Sequence, residues 1–155
     1  MEKQNEYVKE LTLTRIFDAP RERVWKAWTD PKLLAQWWGP QGFTSPVCEV
    51  DPRPGGTILI HMSGFGMLAP MTGVFQEVVE PERLVFTNNA YFEVPPVKPL
   101  IEGITTVTFE DVGGKTKITV HNGILRASPE AAQALAGMEP GWTQSLDKLA
   151  EFLRS

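Results

Sequence analysis

The side chains of this chain that could do chemistry are few and scattered. His61 and His121 could ligate a metal or move a proton. Both fall in alternating segments whose neighbours Ile58, Ile60 and Met62, or Ile118 and Val120, take the core side, and this phase turns both rings outward. No Cys, Asp or Glu joins them at ligand spacing, so the pattern points to no metal site. Cys48 has no basic neighbours of the kind that stabilise a thiolate and reads as inert. Ser63, Ser128 and Ser145 lie outside any GxSxG elbow. The glycines of DPRPGG (51–56) and of VGG (112–114) lack a strand–GxGxxG–helix context, and turn duty explains them. Glu102, Glu49 and Asp51 are acids available for proton transfer, but the sequence sets no two of them together. These residues assign no catalytic group, no cofactor and no reaction.

The apolar side chains say more. Five tryptophans, eight phenylalanines and five methionines in 155 residues are abundant for a chain this size. A set of them could wall a small-molecule pocket: Trp38 and Phe43 around the end of the second helix, and Ile60, Met62, Met71, Phe75, Phe86 and Tyr91 along the strands. Trp142, Ser145 and Leu149 on the last helix complete the set. Ser145 puts one hydroxyl into an oily stripe, and Gly141 leaves room beside Trp142. Mostly apolar walls with a few polar groups are the usual form of a site for a hydrophobic or amphipathic ligand. The competing reading is that the same rings fill a close-packed core.

Either role needs elements to hold these residues in place. In MEPGWTQSLDKLAEFLR (138–154) the residues Met138, Trp142, Leu146, Leu149 and Phe152/Leu153 recur at spacings of three and four, covering roughly 120° of a helix surface. The other face carries Thr143, Gln144, Asp147, Lys148, Glu151 and Arg154, and Pro140 is tolerable only in a first turn, so the helix starts near Glu139. Upstream, ELTLTRIF (10–17) alternates as a strand. DAP stops it, with Pro20 at a first helical position and Val24, Trp25 and Trp28 on the apolar side of a short helix. A second short helix follows in TDPKLLAQWWGP (29–40), with Asp30 as N-cap, Pro31 first, and Gly39 and Pro40 ending it.

Strands then run almost to residue 121. VCEVD (47–51) and TILIHM (57–62) flank the turn DPRPGG, SGFGMLAP (63–70) reads as a turn-rich connection, and MTGVFQEVV (71–79) pairs with LVFTNN (84–89) across EPER. Residues 90–103, with Pro95, Pro96 and Pro99, read as a long loop over one mouth of the fold. Residues 103–111 and 115–122 form a hairpin around VGG, and SPEAAQALAG (128–137) is a weak helix with Ser128 as N-cap. Short turns between consecutive strands imply an antiparallel sheet, and helices segregated from strands imply the α+β class. A curved sheet of about six or seven strands, wrapped on the long C-terminal helix, buries the Trp142 stripe.

Length allows one domain over residues 10–155, preceded by a charged, mobile lead over 1–9. The net charge of −4, without basic clusters, argues against nucleic acid as a partner. A single cysteine rules out an internal disulfide, and the polar N-terminus MEKQNEYVKE lacks a signal-peptide core, so a reducing cytoplasm is the expected compartment. No apolar run approaches the ~20 residues of a membrane span. Exposed strand edges would permit a homodimer.

Five segments carry a family resemblance: FDAPRERVWKAWTDPKLLAQWWGPQGF (17–43), DPRPGG (51–56), GVFQEVVEPERLVFT (73–87), TVTFED (106–111) and GWTQSLDKL (141–149). Together and in this order, they resemble the START-like (SRPBCC) superfamily. Within it the chain is similar to the C-terminal domain of the activator of the heat-shock protein 90 ATPase. The resemblance implies a helix-grip fold with a cavity between the C-terminal helix and the concave sheet face, and a soluble module that binds a small hydrophobic molecule. It carries no universal catalytic residue. Two further roles follow from it: a chaperone-activating interaction domain, and an enzyme acting on an apolar substrate in the cavity.

Overall fold

Leu11, Leu13 and Arg15 alternate with the exposed Thr12, Thr14 and Ile16, and this alternation makes β1 (Lys9–Phe17) an edge strand with one face turned inward. A computed structural model describes residues 7–91 and 98–154. The expected N-terminal lead falls outside the described residues over 1–6; Tyr7 sets its ring 5.5 Å from that of His121.

Two short helices carry the chain from β1 to the opposite edge of the sheet. Helix α1 (Arg21–Thr29) buries Val24, Trp25, Ala27 and Trp28, with Pro20 at the N-cap, one place before the expected first turn. Helix α2 (Pro31–Leu34) is capped as its sequence requires, Asp30 Oδ1 accepting from Lys32 N at 2.9 Å. Trp37, fully buried, donates its indole N–H to Ala27 O at 3.0 Å and fixes the two helices against each other.

The strands β2 (Thr44–Val50), β3 (Thr57–Gly64), β4 (Met67–Val79), β5 (Arg83–Ala90), β6 (Ile101–Val112) and β7 (Lys115–Ala127) follow. They join β1 in one antiparallel seven-stranded sheet of order β1-β7-β6-β5-β4-β3-β2. Register shifts between Phe75 and Glu77 and between Arg126 and Ile124 place bulges in β4 and β7, which tighten the local bend.

Three expectations about the strands need correction. SGFGMLAP is mostly strand: β3 runs on to Gly64 and β4 begins at Met67, with Phe65 and Gly66 taking positive φ in the two-residue turn. The segment 90–103 is shorter as a loop than its prolines suggest, because β5 reaches Ala90 and β6 opens at Ile101. Residues 92–97, where the loop was expected to cross the mouth, lie outside the described residues. Strand β7 continues past 122 to Ala127. A 3-10 turn (Pro129–Ala131) and α3 (Ala132–Ala136) then lead to α4 (Met138–Arg154). Ser128 stands at the N-cap position of that turn, but its side chain makes no capping bond.

Helix α4 lies in the grip of the sheet, as the helix-grip arrangement requires. It buries Leu146, Leu149 and Leu153 against Trp25, Trp28, Phe109 and Ile118 in the main core, each large side chain worth roughly 1.5–3 kcal/mol at most. Arg15 Nη2 meets Asp147 Oδ1 at 2.7 Å and ties the helix to β1, a partly exposed pair of modest value. A second, smaller apolar cluster gathers Leu100, Ile101, Ile124 and Ala131 around the start of the helix.

Candidate functional site

Between the two apolar clusters the sheet and α4 do not meet. The gap is a cavity of about 570 Å³. Its first wall is the segment after α2, with Trp38, Gly39, Pro40 and Phe43. The β3–β4 hairpin contributes Met62, Met67, Ala69 and Met71. Ile101 and Ile124 come from β6 and β7, and Leu135, Met138, Gly141, Trp142 and Ser145 form the helical roof.

Several inward positions on the strands are polar. Alternation puts Phe109, Val107, Thr105 and Gly103 of β6 on the concave face, and Ile118, Val120, Asn122 and Ile124 of β7 beside them. Thr105 faces Asn122 across one ladder and Phe86 across the other, and Asn88 faces Gly103. Thr105 Oγ1 donates to Asn88 Oδ1 at 2.7 Å, and Asn122 Nδ2 donates to Thr105 Oγ1 at 2.9 Å and more weakly to Asn88 Oδ1 at 3.5 Å. Trp142 Nε1 reaches Asn122 Oδ1 at 3.4 Å from the helix. Thr105 and Asn122 are buried, so these bonds replace the water the groups gave up. The Ser145 hydroxyl donates back to Gly141 O at 3.0 Å.

Lys148, outside the lining, braces one wall from the flank of α4. Its Nζ donates to Gly39 O at 3.1 Å, to Phe43 O at 3.1 Å and, longer, to Pro40 O at 3.5 Å. One turn earlier, Gln144 Oε1 accepts from Gln41 N at 3.0 Å. The two side chains clamp the Gly39–Phe43 wall onto α4. Burial lowers the Lys148 pKa below the ordinary lysine value. The helical wheel gives Lys148 to the face opposite the apolar stripe, and the structure adds a loop that reaches round the helix flank to meet it.

Of the residues expected to line a pocket, the structure brings Trp38, Phe43, Met62, Met71, Trp142 and Ser145 to this cavity. Ile60, Phe75 and Phe86 lie in the packed core, where the space between them is about 10 Å³, room for a single water at most. Leu149 is fully buried among core side chains on the far half of α4. Tyr91 pairs its hydroxyl with Thr72 Oγ1 at 3.2 Å, next to the inward-facing Met71 but on the other phase of the strand. Asn88, Thr105 and Asn122 were not anticipated. Their signal was present in the sequence as polar residues in the core phase of strands that otherwise read Leu84–Phe86, Val107–Phe109 and Ile118–Val120.

The other candidates for chemistry lie elsewhere. His121 Nε2 and Glu10 Oε1 are 2.9 Å apart on the outer face. Burial, with Glu49 adding, pushes the Cys48 thiol up to about 11. Among the described residues, no three His, Cys, Asp or Glu side chains gather closely enough to hold a metal ion. Nor is any helix among them long and apolar enough to cross a membrane.

A sequence model of the family described as Activator of Hsp90 ATPase homolog 1-like protein matches residues 18–154. Among curated proteins there is no match. Among solved structures, the solution NMR structure of a protein from Arthrobacter aurescens is similar with a TM-score of 0.82 at 27% identity, over 94% of this chain and 86% of that one. The crystal structure of protein CV1439 from Chromobacterium violaceum gives 0.75 at 28% identity, over 95% and 99% of the two chains. The AHSA1 protein from Silicibacter pomeroyi gives 0.77 at 26% identity, over 94% and 98%.

Proposed function

Since the chain belongs to the family of Activator of Hsp90 ATPase homolog 1-like proteins, we propose that it is a binding module for an uncharged, mainly apolar small molecule held between α4 and the concave sheet face. The observation that carries this is the lining. Among the described residues it includes no Asp, Glu, Lys, Arg or His, only apolar side chains, four methionines and a few neutral amides and hydroxyls. A charged ligand would leave water there without a counter-charge, at a cost of several kcal/mol, whereas an apolar one loses only unfavourable hydration. A volume of about 570 Å³ sits within the range of small-molecule sites. Methionine, unbranched and polarisable, lets such a wall adapt to more than one shape. The same lining offers no acid or base poised for proton transfer, so holding a ligand, rather than transforming it, is the role these residues support. We assign this work to one domain over residues 10–155 and, on the single Cys48, to a reducing cytoplasm.

Native mass spectrometry of protein purified from cells, followed by displacement of the neutral dye N-phenyl-1-naphthylamine, tests the proposal. A retained neutral molecule, or dye displaced by uncharged apolar compounds and not by their carboxylates, is the expected result. Failure of the dye and of a broad neutral panel to bind at all would overturn it.

A second reading, contact with a chaperone, draws on one observation besides the family description. Phe65, Met67 and Leu68 are exposed together at the tip of the β3–β4 hairpin. An Hsp90 ATPase assay with and without the chain separates the two readings: unchanged turnover removes this one.

A further inference from the structure

We infer that the cavity selects ligands carrying a hydrogen-bond acceptor, such as a ketone, ester or amide carbonyl, and that the Asn88 side-chain N–H₂ receives it. The inference rests on the reading that the cavity holds a small neutral molecule and adds the chemical class of that molecule.

The direction of the buried hydrogen bonds is forced from one end. An indole N–H can donate and cannot accept. Trp142 Nε1 therefore needs the oxygen of Asn122, and Oδ1 stands there at 3.4 Å; the opposite amide orientation would set N–H against N–H. With its oxygen committed, Asn122 turns Nδ2 to Thr105 Oγ1 at 2.9 Å. Thr105 thus accepts, and its single proton goes on to Asn88 Oδ1 at 2.7 Å. Asn88 Oδ1 also receives Asn122 Nδ2 at 3.5 Å. Two donors on that oxygen fix the Asn88 amide as well. The chain of bonds runs one way, from Trp142 to Asn88, and it ends on a nitrogen that can only donate.

That nitrogen is left uncovered. Asn88 faces Gly103 across the β5–β6 ladder, and Nδ2 lies 3.3 Å from where a Cβ at 103 would stand. The same Cβ would come 2.7 Å from Gly123 O, a separation that side-chain carbons do not adopt, so only glycine fits. Among the described residues the buried side-chain nitrogens and oxygens without a partner are Arg21 Nε, Trp28 Nε1 and Ser128 Oγ. Asn88 Nδ2 is not one of them, and Asn88 lines the cavity. A donor presented in a neutral, mostly apolar chamber discriminates in favour of a ligand that can accept, because an unmatched donor stays desolvated when an apolar ligand displaces its water.

Three molecules of one skeleton test this: benzophenone, which accepts, diphenylmethane, which does neither, and diphenylamine, which donates. Each is titrated into the full-length ¹⁵N-labelled chain, with dissociation constants from chemical shifts and the Asn88 side-chain resonances followed. Benzophenone is expected to bind about three- to tenfold more tightly than diphenylmethane, with diphenylamine no better than diphenylmethane. The Asn88 N–H₂ signals should move strongly with benzophenone alone. In Asn88→Asp the acceptor for Thr105 and Asn122 is kept and the donor is gone, so the benzophenone preference should fall to about one. If that variant does not fold, the three wild-type affinities and the Asn88 resonances decide the matter. Equal binding of all three molecules, or a preference for diphenylamine, overturns the acceptor inference while leaving the small-molecule reading in place. Binding of none of them overturns the acceptor inference, and together with failure of the dye and the neutral panel it overturns both.

Discussion

The two halves of α4 face the same sheet and meet it differently. From Leu146 to Leu153 the inward residues are leucines, buried without a gap against Trp25, Trp28 and Phe109. From Met138 to Ser145 the inward residues are Met138, Gly141, Trp142 and Ser145, and they roof a chamber. The strands below change in step. One ladder row pairs Val107 with Val120, and the next row toward the chamber pairs Thr105 with Asn122; on β5, Leu84 and Phe86 give way to Asn88. Large branched side chains on both sides close the space, whereas glycine, serine and short amides on both sides leave it open. A cavity here follows side-chain volume at matched positions along one continuous helix and sheet.

Leu149→Ala probes the closed half and carries the largest expected effect, a loss of about 2–5 kcal/mol in urea unfolding, since the site is fully buried and cannot collapse freely. A loss below 1 kcal/mol would mean that the closed half is looser than its packing implies. Lys148→Met comes next. It leaves the carbonyls of Gly39 and Phe43 without their charged donor and should cost about 1.5–3 kcal/mol, with weaker ligand binding because one chamber wall loses its clamp. The pH dependence of this group has a definite sign. Its folded pKa is lowered beneath the ordinary 10.5, so the unfolded chain holds the proton more tightly. This contribution to wild-type stability rises as pH climbs through the folded pKa toward 10.5, and Lys148→Met should lack that rise. The smallest effect is at Cys48, half-buried against the closed half with its thiol pushed up to about 11. Iodoacetamide at pH 8 should label it slowly in the fold and readily in urea; equal rates would show that this end of the core opens as easily as the chamber.

Much of the architecture was legible because it depends on period and punctuation. The stripe of α4, the Asp30–Pro31 helix start and the alternation of β1, β6 and β7 survive in the structure with shifts of a residue or two at most of their ends. Glycine-rich SGFGMLAP misled because a two-residue turn needs only Phe65 and Gly66, and the sheet recruits the residues on either side whatever their propensity. The site was half legible. Trp38, Met62 and Trp142 line the cavity, but periodicity treats every inward apolar residue alike, so it could not separate them from Ile60, Phe75, Phe86 and Leu149 in the filled core. Inward polar residues are the sharper marker: burying Thr105 and Asn122 is unfavourable unless their partners are built around them. Lys148 was hidden for a different reason. Its partners are backbone carbonyls more than a hundred residues away, which leave no trace in side-chain types.

Gly141→Leu tests the claim of an open, ligand-holding chamber most directly. Gly141 lines the cavity, and a Cβ there would meet no atom within 4 Å, so a leucine can enter without displacing the core. Removing glycine from a helix interior should add about 0.5–1 kcal/mol of stability. The decisive quantity is the affinity for N-phenyl-1-naphthylamine, measured beside the thermal midpoint of the same sample. An unchanged or raised midpoint with dye binding weakened at least tenfold is the predicted result; equal dye affinity in Gly141→Leu and the wild type would contradict it.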